Sequence, residues 1–208
     1  MAVHHNSLNN PPVKRIEDGG DILLMVDTPE PGIYYIVLYP YRFAGGLPLD
    51  YTLTVWVLPF NEVSGVIDLL DYDGDMTQIP VLIQIRNPGE VTPIGQHEVF
   101  LDSSGRFYFV TSLEGVYDFA AKAPHWLRRV EPGVQITSST VVNFTLINGD
   151  IDGDNEVTLF DFGQLVAAFG SVPGAPHWNA DADLDGDEEV TLFDFGVLVR
   201  NFGVMGDE

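Results

Sequence analysis

The sequence predicts a mainly β chain, built of β-sandwich units and closed by a small C-terminal α module of two loop–helix repeats. Three observations predict it. Up to residue 147, segments of strand length rich in β-branched and aromatic residues recur between Pro, Gly and Asn turn clusters. From residue 148 the alternation gives way to helical spacing. The C-terminal region then repeats one phrase with an offset of 33 residues.

Residues 21–58 supply the first strands. Asp21–Asp27 is a short apolar run, and Thr28-Pro-Glu-Pro-Gly32 is a turn cluster. Residues 33–39 read Ile-Tyr-Tyr-Ile-Val-Leu-Tyr, and residues 50–57 alternate after the Gly45-Gly46-Leu-Pro48 turn. Three strands leave an open edge and an uncovered apolar face, which is marginal alone. The piece must pack on the next domain, accept a strand from another chain, or be a truncated sandwich. In residues 59–147 the expected strands are Val63–Leu69, Ile79–Ile85, His97–Leu101, Arg106–Thr111, Gly115–Ala121 and Val141–Leu146. Turns at Asn87-Pro-Gly, Asp102-Ser-Ser-Gly and Pro132-Gly separate them. Pro124-His-Trp-Leu-Arg-Arg129 reads as a half-buried strand with a basic tip, and Asp71-Tyr-Asp-Gly-Asp75 as a surface turn. Asn143-Phe-Thr145 fits a glycosylation sequon but falls in a predicted strand.

In residues 148–208, Phe160, Leu165, Val166 and Phe169 fall on one helix face, as do Phe193, Leu198, Val199 and Phe202. Packing between the two repeats is the first reading of those faces, and a partner surface the second. Gly170 and Gly203 stand where helix C-caps place glycine. His177-Trp178 is expected to cover the linker between repeats. Residues 157–170 and 190–203 differ only at Gln164/Val197, Ala167/Arg200 and Ala168/Asn201.

Composition narrows the function. Hydrophobic residues make up 45% of the 208-residue chain, enough to bury the core of one large domain or of two to three small ones. With 31 acidic against 9 basic residues, the net charge of −22 repels nucleic acid and anionic membrane. The absence of cysteine excludes disulfides, Cys-ligated zinc and thiol catalysis. No run approaches the ~20 apolar residues of a membrane helix, so membrane insertion is not expected. Met1–Asn10 is polar and is no signal peptide, so an exported form would be processed or cut from a longer precursor. His4-His5 is too short to read as metal chemistry. No nucleophile elbow, phosphate-cradling Gly loop or His-rich metal motif is present, so no enzyme is expected.

The duplicated phrase carries the chemistry. Calcium takes about 6–8 oxygen ligands, and a 12-residue loop supplies them from positions 1, 3, 5, 7, 9 and 12. Loop 1 offers Asp150, Asp152, Asp154, the carbonyl of Glu156, Thr158 (through water) and Asp161. Loop 2 offers Asp183, Asp185, Asp187, the carbonyl of Glu189, Thr191 and Asp194. Val157 and Val190, at position 8, anchor each loop to the core. Two Ca2+ ions are therefore expected, with binding coupled to folding because four gathered carboxylates repel. Magnesium keeps its waters and zinc lacks His or Cys ligands here. Position 6, usually Gly, is Asn155 and Glu188, the latter ill-suited to left-handed backbone. Position 12 is Asp rather than the usual Glu, which draws the helix closer to the ion.

Two such loops, each followed by one helix and lacking the preceding one, resemble a type I dockerin over residues 148–206. That resemblance implies docking of a cohesin module on a scaffold or cell-surface protein through one of the helices, in two orientations if the internal symmetry allows. Positions 10 and 11, often Ser-Thr in that family, help to set partner choice. Here they are Leu159-Phe160 and Leu192-Phe193. Such apolar pairs depart from ordinary cohesin specificity and favour burial against the chain itself or another copy. Val63-Ser-Gly-Val, Pro80-Val-Leu-Ile, Ser104-Gly-Arg-Phe and Gly115-Val-Tyr-Asp-Phe-Ala-Ala-Lys-Ala resemble transthyretin-like, carboxypeptidase-regulatory domains. These imply an immunoglobulin-like spacer or sugar-adhering module without catalysis. Gly32-Ile-Tyr-Tyr-Ile-Val and Asp50-Tyr-Thr-Leu-Thr-Val resemble the closing strands of bacterial pre-peptidase C-terminal sandwiches.

The expected domains are thus 1–58, 59–147 and 148–208. The expected function is a calcium-binding attachment region of a secreted, extracellular or cell-surface protein that docks a cohesin-like partner. Two alternatives stand beside it. One is a structural subunit that assembles with copies of itself into a fibre or sheath by strand donation or helix packing. The other is an accessory module cut from a secreted hydrolase.

Overall fold

The computed structural model describes residues 2–5, 12–15, 34–37 and 60–208. The chain divides into two compact units, Met1–Val57 and Leu58–Glu208. In the first, β1 (Ala2–His5), β2 (Pro12–Arg15) and β3 (Tyr34–Val37) form an antiparallel sheet in the order β2-β1-β3. The expected strand at 33–39 appears as β3. Those at 21–27 and 50–57 lie outside the described residues. β1 and β2 were not legible in their mostly polar sequences.

The second unit is mainly β with two short helices. One sheet has β4 (Asn61–Leu69) at its centre, paired antiparallel with β7 (Arg106–Thr111) and parallel with β10 (Ser139–Val141) and β11 (Phe144–Leu146). The other runs β6-β5-β8-β9: Pro93–Phe100, Pro80–Arg86, Gly115–Lys122 and Arg129–Ile136, all antiparallel. Period-2 alternation explains the core. Val63, Ile67 and Leu69 from β4, and Val81, Ile83 and Ile85 from β5, point inward and meet Phe107, Phe119 and Phe144.

Three expectations need correction. The strand expected at Val141–Leu146 is broken in two. At Gly65 the carbonyl of Val142 fills the space a side chain would need, while Val142 N–H donates to Ser64 O (2.9 Å) and Val66 N–H to Asn143 Oδ1 (2.9 Å). The sequon asparagine therefore sits in the break. The Pro132-Gly133 turn lies inside β9, on the sheet edge where proline is tolerated. Gly133, at φ +68°, donates to Asp118 Oδ1 (2.7 Å) opposite an irregularity in the β8–β9 register. Pro124–Arg129 is no half-buried strand: residues 124–125 form a turn, Trp126 makes a single bridge to Asn148, and residues 127–128 are irregular before β9 begins at Arg129. His125, Trp126 and Leu127 are buried there, with Trp126 Nε1 donating to Leu70 O (3.2 Å).

Helices α1 (Leu159–Ala168) and α2 (Leu192–Asn201) each start with a capping box: Thr158 with Asp161, and Thr191 with Asp194. A second core gathers Leu127, Val157, Leu165, Leu184, Val190 and Leu198, with Trp178 partly buried against it. The repeats interlock through backbone. Val190 N–H donates to Ser171 O and its carbonyl accepts from Gly170, while Val157 N–H donates to Val204 O and its carbonyl accepts from Gly203. Each loop is thus tied to the segment that follows the other repeat's helix.

Candidate metal centre

In each loop, three aspartates two residues apart turn their carboxylates toward one another. Asp150, Asp152 and Asp154 bring ligand oxygens within 4.8 Å of each other, and so do Asp183, Asp185 and Asp187. The loop backbone sets this geometry. Asp154 N–H donates to Asp152 Oδ1 (3.2 Å), and Glu156 N–H to Asp154 Oδ1 (2.9 Å). In loop 2, Asp187 N–H donates to Asp185 Oδ1 (3.3 Å), and Glu189 N–H to Asp187 Oδ1 (2.9 Å). Asn155 and Glu188, at φ +72° and +68°, make the left-handed turn that position 6 demands. Their N–H groups reach back to the first aspartate, Asp150 Oδ2 (3.2 Å) and Asp183 Oδ2 (3.0 Å).

The remaining predicted residues fall into different places. Asp161 and Asp194 are fully buried and close their loops from the helix side. Asp161 accepts from Ile151 (2.7 Å), Asp152 (3.1 Å) and Thr158 (2.6 Å) N–H, and Asp194 from Leu184 (2.6 Å), Asp185 (3.2 Å) and Thr191 (2.7 Å). Thr158 and Thr191 hydroxyls cap their helices, each accepting from the phenylalanine two residues on (3.2 Å). Glu156 and Glu189 side chains are exposed and belong to neither cluster of converging carboxylates.

Leu159 and Leu192 are 71% exposed, and Phe160 and Phe193 74%. Packing of the apolar helix faces between repeats is therefore a correction: only Leu165 and Leu198 of those faces are buried, while Val166, Phe169, Val199 and Phe202 are half exposed. The helices touch instead through Phe162 and Phe195, ring centroids 6.0 Å apart.

Electrostatics concentrate in the clusters. Burial, then the charges of Asp194 and Asp187, push the Asp183 carboxyl up to about 6 against opposing backbone N–H bonds. Burial also raises Asp152 and Asp185, and neighbouring carboxylates add to it. Asp150 is fully buried, and its Oδ1 is the one buried side-chain polar atom among the described residues without a hydrogen-bond partner. Its Oδ2 faces Lys122 Nζ at 3.0 Å.

Sequence reasoning missed what holds the loops to the β-sandwich. The buried segment at 125–127 does so on one side: His125 O accepts from Gly149 (2.9 Å) and Asp150 (3.0 Å), and His125 Nδ1 pairs with Asn148 Oδ1 at 2.8 Å. Asn148 Nδ2 reaches on to Leu184 O in loop 2 (2.7 Å). The Asp71–Asp75 turn does so on the other: Asp73 N–H donates to Asp185 O (2.8 Å), and Asp71 pairs with Arg200 of α2 at 2.9 Å.

No protein-family model matches the chain, and no curated protein matches it in sequence. Among solved structures it is similar to one chain of the type II cohesin–X–dockerin complex from Acetivibrio cellulolyticus, in a C-terminal and an N-terminal interface mutant. Each aligns with a TM-score of 0.54 at 21% identity, over 70% of this chain and 97% of that one. Likeness at that identity establishes the fold. A DUF3823 family protein from Parabacteroides merdae aligns at a TM-score of 0.32 and 14% identity, over 45% of this chain and 48% of that one, too loosely to bear on it. Among the described residues no helix is long and apolar enough to cross a membrane.

Proposed function

We propose that this chain is a non-catalytic attachment region of a secreted protein, in which two calcium ions order the loop–helix repeats and the helices dock a cohesin-like partner outside the cell. One observation carries the reading: three converging aspartates in each of two duplicated loops, one of them ending in a buried carboxylate oxygen that no proton donor reaches. Such an oxygen is costly to leave unsatisfied, and a dication removes the cost.

The donor set is all oxygen, which fits calcium and does not suit zinc. Asp150, Asp152, Asp154, the Glu156 carbonyl and Asp161 would hold the first ion. Asp183, Asp185, Asp187, the Glu189 carbonyl and Asp194 would hold the second. Thr158 and Thr191, already spent as helix caps, would contribute only through water. Bound calcium neutralises the gathered charge; the chain's part is to aim its carboxylates and present the helices. The likeness to a chain from a cohesin–X–dockerin complex supports protein docking as the role, and Leu159, Phe160, Leu192 and Phe193 are exposed where a partner would seat.

Calcium titration calorimetry on the whole chain tests the ion sites: two binding events are expected, with a rise in thermal stability. Absence of either refutes the reading. Chromatography with and without chelator tests the partner. Calcium-dependent capture by a cohesin module supports docking. Large calcium-dependent polymers of the chain alone support self-assembly instead, which the same exposed pairs on both helices would also serve.

A further inference from the structure

The repeats are near-copies in sequence, yet the β-sandwich treats their first aspartates differently. Asp150 meets the ammonium of Lys122, the last residue of β8, at 3.0 Å. Asp183, its counterpart, has no ion-pair partner among the described residues. Its oxygens accept only backbone N–H groups, from Gly186 (3.0 Å), Asp187 (3.2 Å) and Glu188 (3.0 Å).

Lys122 is not a loose surface cation. Its side chain is 18% exposed, and its Nζ also donates to Ala123 O and Pro124 O, both at 2.8 Å. Those two carbonyls fix the ammonium beside the cage whether or not the cage is filled. The other oxygen of the same carboxylate, Asp150 Oδ1, is the buried atom without a partner. One side of Asp150 thus carries a permanent positive charge, and the other is free for a ligand.

We propose that Lys122 is a built-in counter-cation of loop 1, which holds Asp150 in place when no calcium is bound and lowers the calcium affinity of that loop. The inference rests on the calcium reading above. Two effects oppose each other: a fixed ammonium preorganises Asp150, and it repels an arriving dication. Repulsion wins because Asn155 N–H also fixes Asp150 (3.2 Å to Oδ2), so preorganisation survives without the lysine, whereas the charge has no substitute. A unit charge a few Å from a dication in a partly buried site changes affinity by roughly tenfold or more, even after screening.

The test is Lys122→Met in the full chain, with Asp183→Asn as background so that calorimetry reads loop 1 alone. Lys122→Gln, which keeps a donor for the two carbonyls, is the second neutral variant, and Lys122→Arg the charge-retaining control. Both neutral variants should tighten calcium binding at loop 1 about tenfold, and the arginine should not. In chelator the neutral variants should melt earlier than wild type, because the Asp150 carboxylate then lacks its counter-charge. Calcium uptake with loop 1 affinity unchanged or weakened in both neutral variants overturns the inference and leaves the calcium reading intact. No calcium uptake by the wild type overturns both.

Discussion

Alanine at two equivalent glycines measures how firmly the β-sandwich grips loop 2. Gly153 and Gly186 both occupy position 4 of their loops, at φ +79° and +78°. A left-handed alanine costs about 1–2 kcal/mol, and this cost is common to both sites. Their surroundings differ. A methyl at Gly153 meets nothing within 4 Å, whereas one at Gly186 comes within 2.7 Å of Tyr72 Cζ and 3.0 Å of Gly74 Cα. Tyr72 has little room to yield, because it packs edge-on against buried Trp126, ring centroids 5.3 Å apart. Overpacking of this kind adds about 1–3 kcal/mol. Gly153→Ala should therefore lose about 1–2 kcal/mol and Gly186→Ala about 2–5 kcal/mol. Guanidinium denaturation in saturating calcium reads both as shifts in midpoint at constant slope. Adding Tyr72→Ala should recover part of the second loss and none of the first. Equal losses at the two glycines, within about 0.5 kcal/mol, would refute the docking of the 71–75 turn on loop 2.

Asp161→Asn keeps an oxygen acceptor for the capping box but removes charge, so calorimetry should show loop 1 losing calcium while loop 2 keeps it. Burial holds the His125 imidazole down to about 4, against the raising effect of its Asn148 contact. Since that folded value lies below the ordinary 6.5, the unfolded chain takes up the proton first. The contribution of His125 is then intact above pH 6.5 and lost as pH falls toward 4, by roughly 3 kcal/mol in all. Denaturation profiles of wild type against His125→Leu isolate this slope, and parallel profiles would refute it. Leu159→Ser with Phe160→Thr should change stability by under about 0.5 kcal/mol, because both side chains are exposed. The same variant should lose capture or self-association in chromatography if that face docks.

The loops were legible in the sequence because each cluster draws its carboxylates from one short stretch, where spacing alone sets geometry. The helices were legible for a similar reason, since the apolar spacing from Phe160 to Phe169 and from Phe193 to Phe202, closed by Gly170 and Gly203, is a local signal, whereas the capping boxes of Thr158 with Asp161 and Thr191 with Asp194 went unread. Tertiary context decided the rest. Pro132-Gly133 carries the signature of a turn, yet neighbouring β8 absorbs it as an irregular edge. Phe160 and Val166 keep helical spacing, but the second core fills from Leu165, Leu184 and Val157, leaving them outside. Burial of the 125–127 segment depends on Leu70, Asn148 and Leu184, all distant in sequence. Nothing near Lys122 in the sequence announces Asp150.

The crossed backbone bonds at Val157 and Val190 have a further consequence. Neither repeat is self-sufficient, since each leaves a valine N–H and carbonyl that only the other repeat's trailing segment answers. A half cut out alone would present those groups to water and open its apolar seam. The ready remedy would be a twin fragment related by a two-fold axis, so the covalent tandem does the work of a homodimer at an effective concentration no free pair of halves could match.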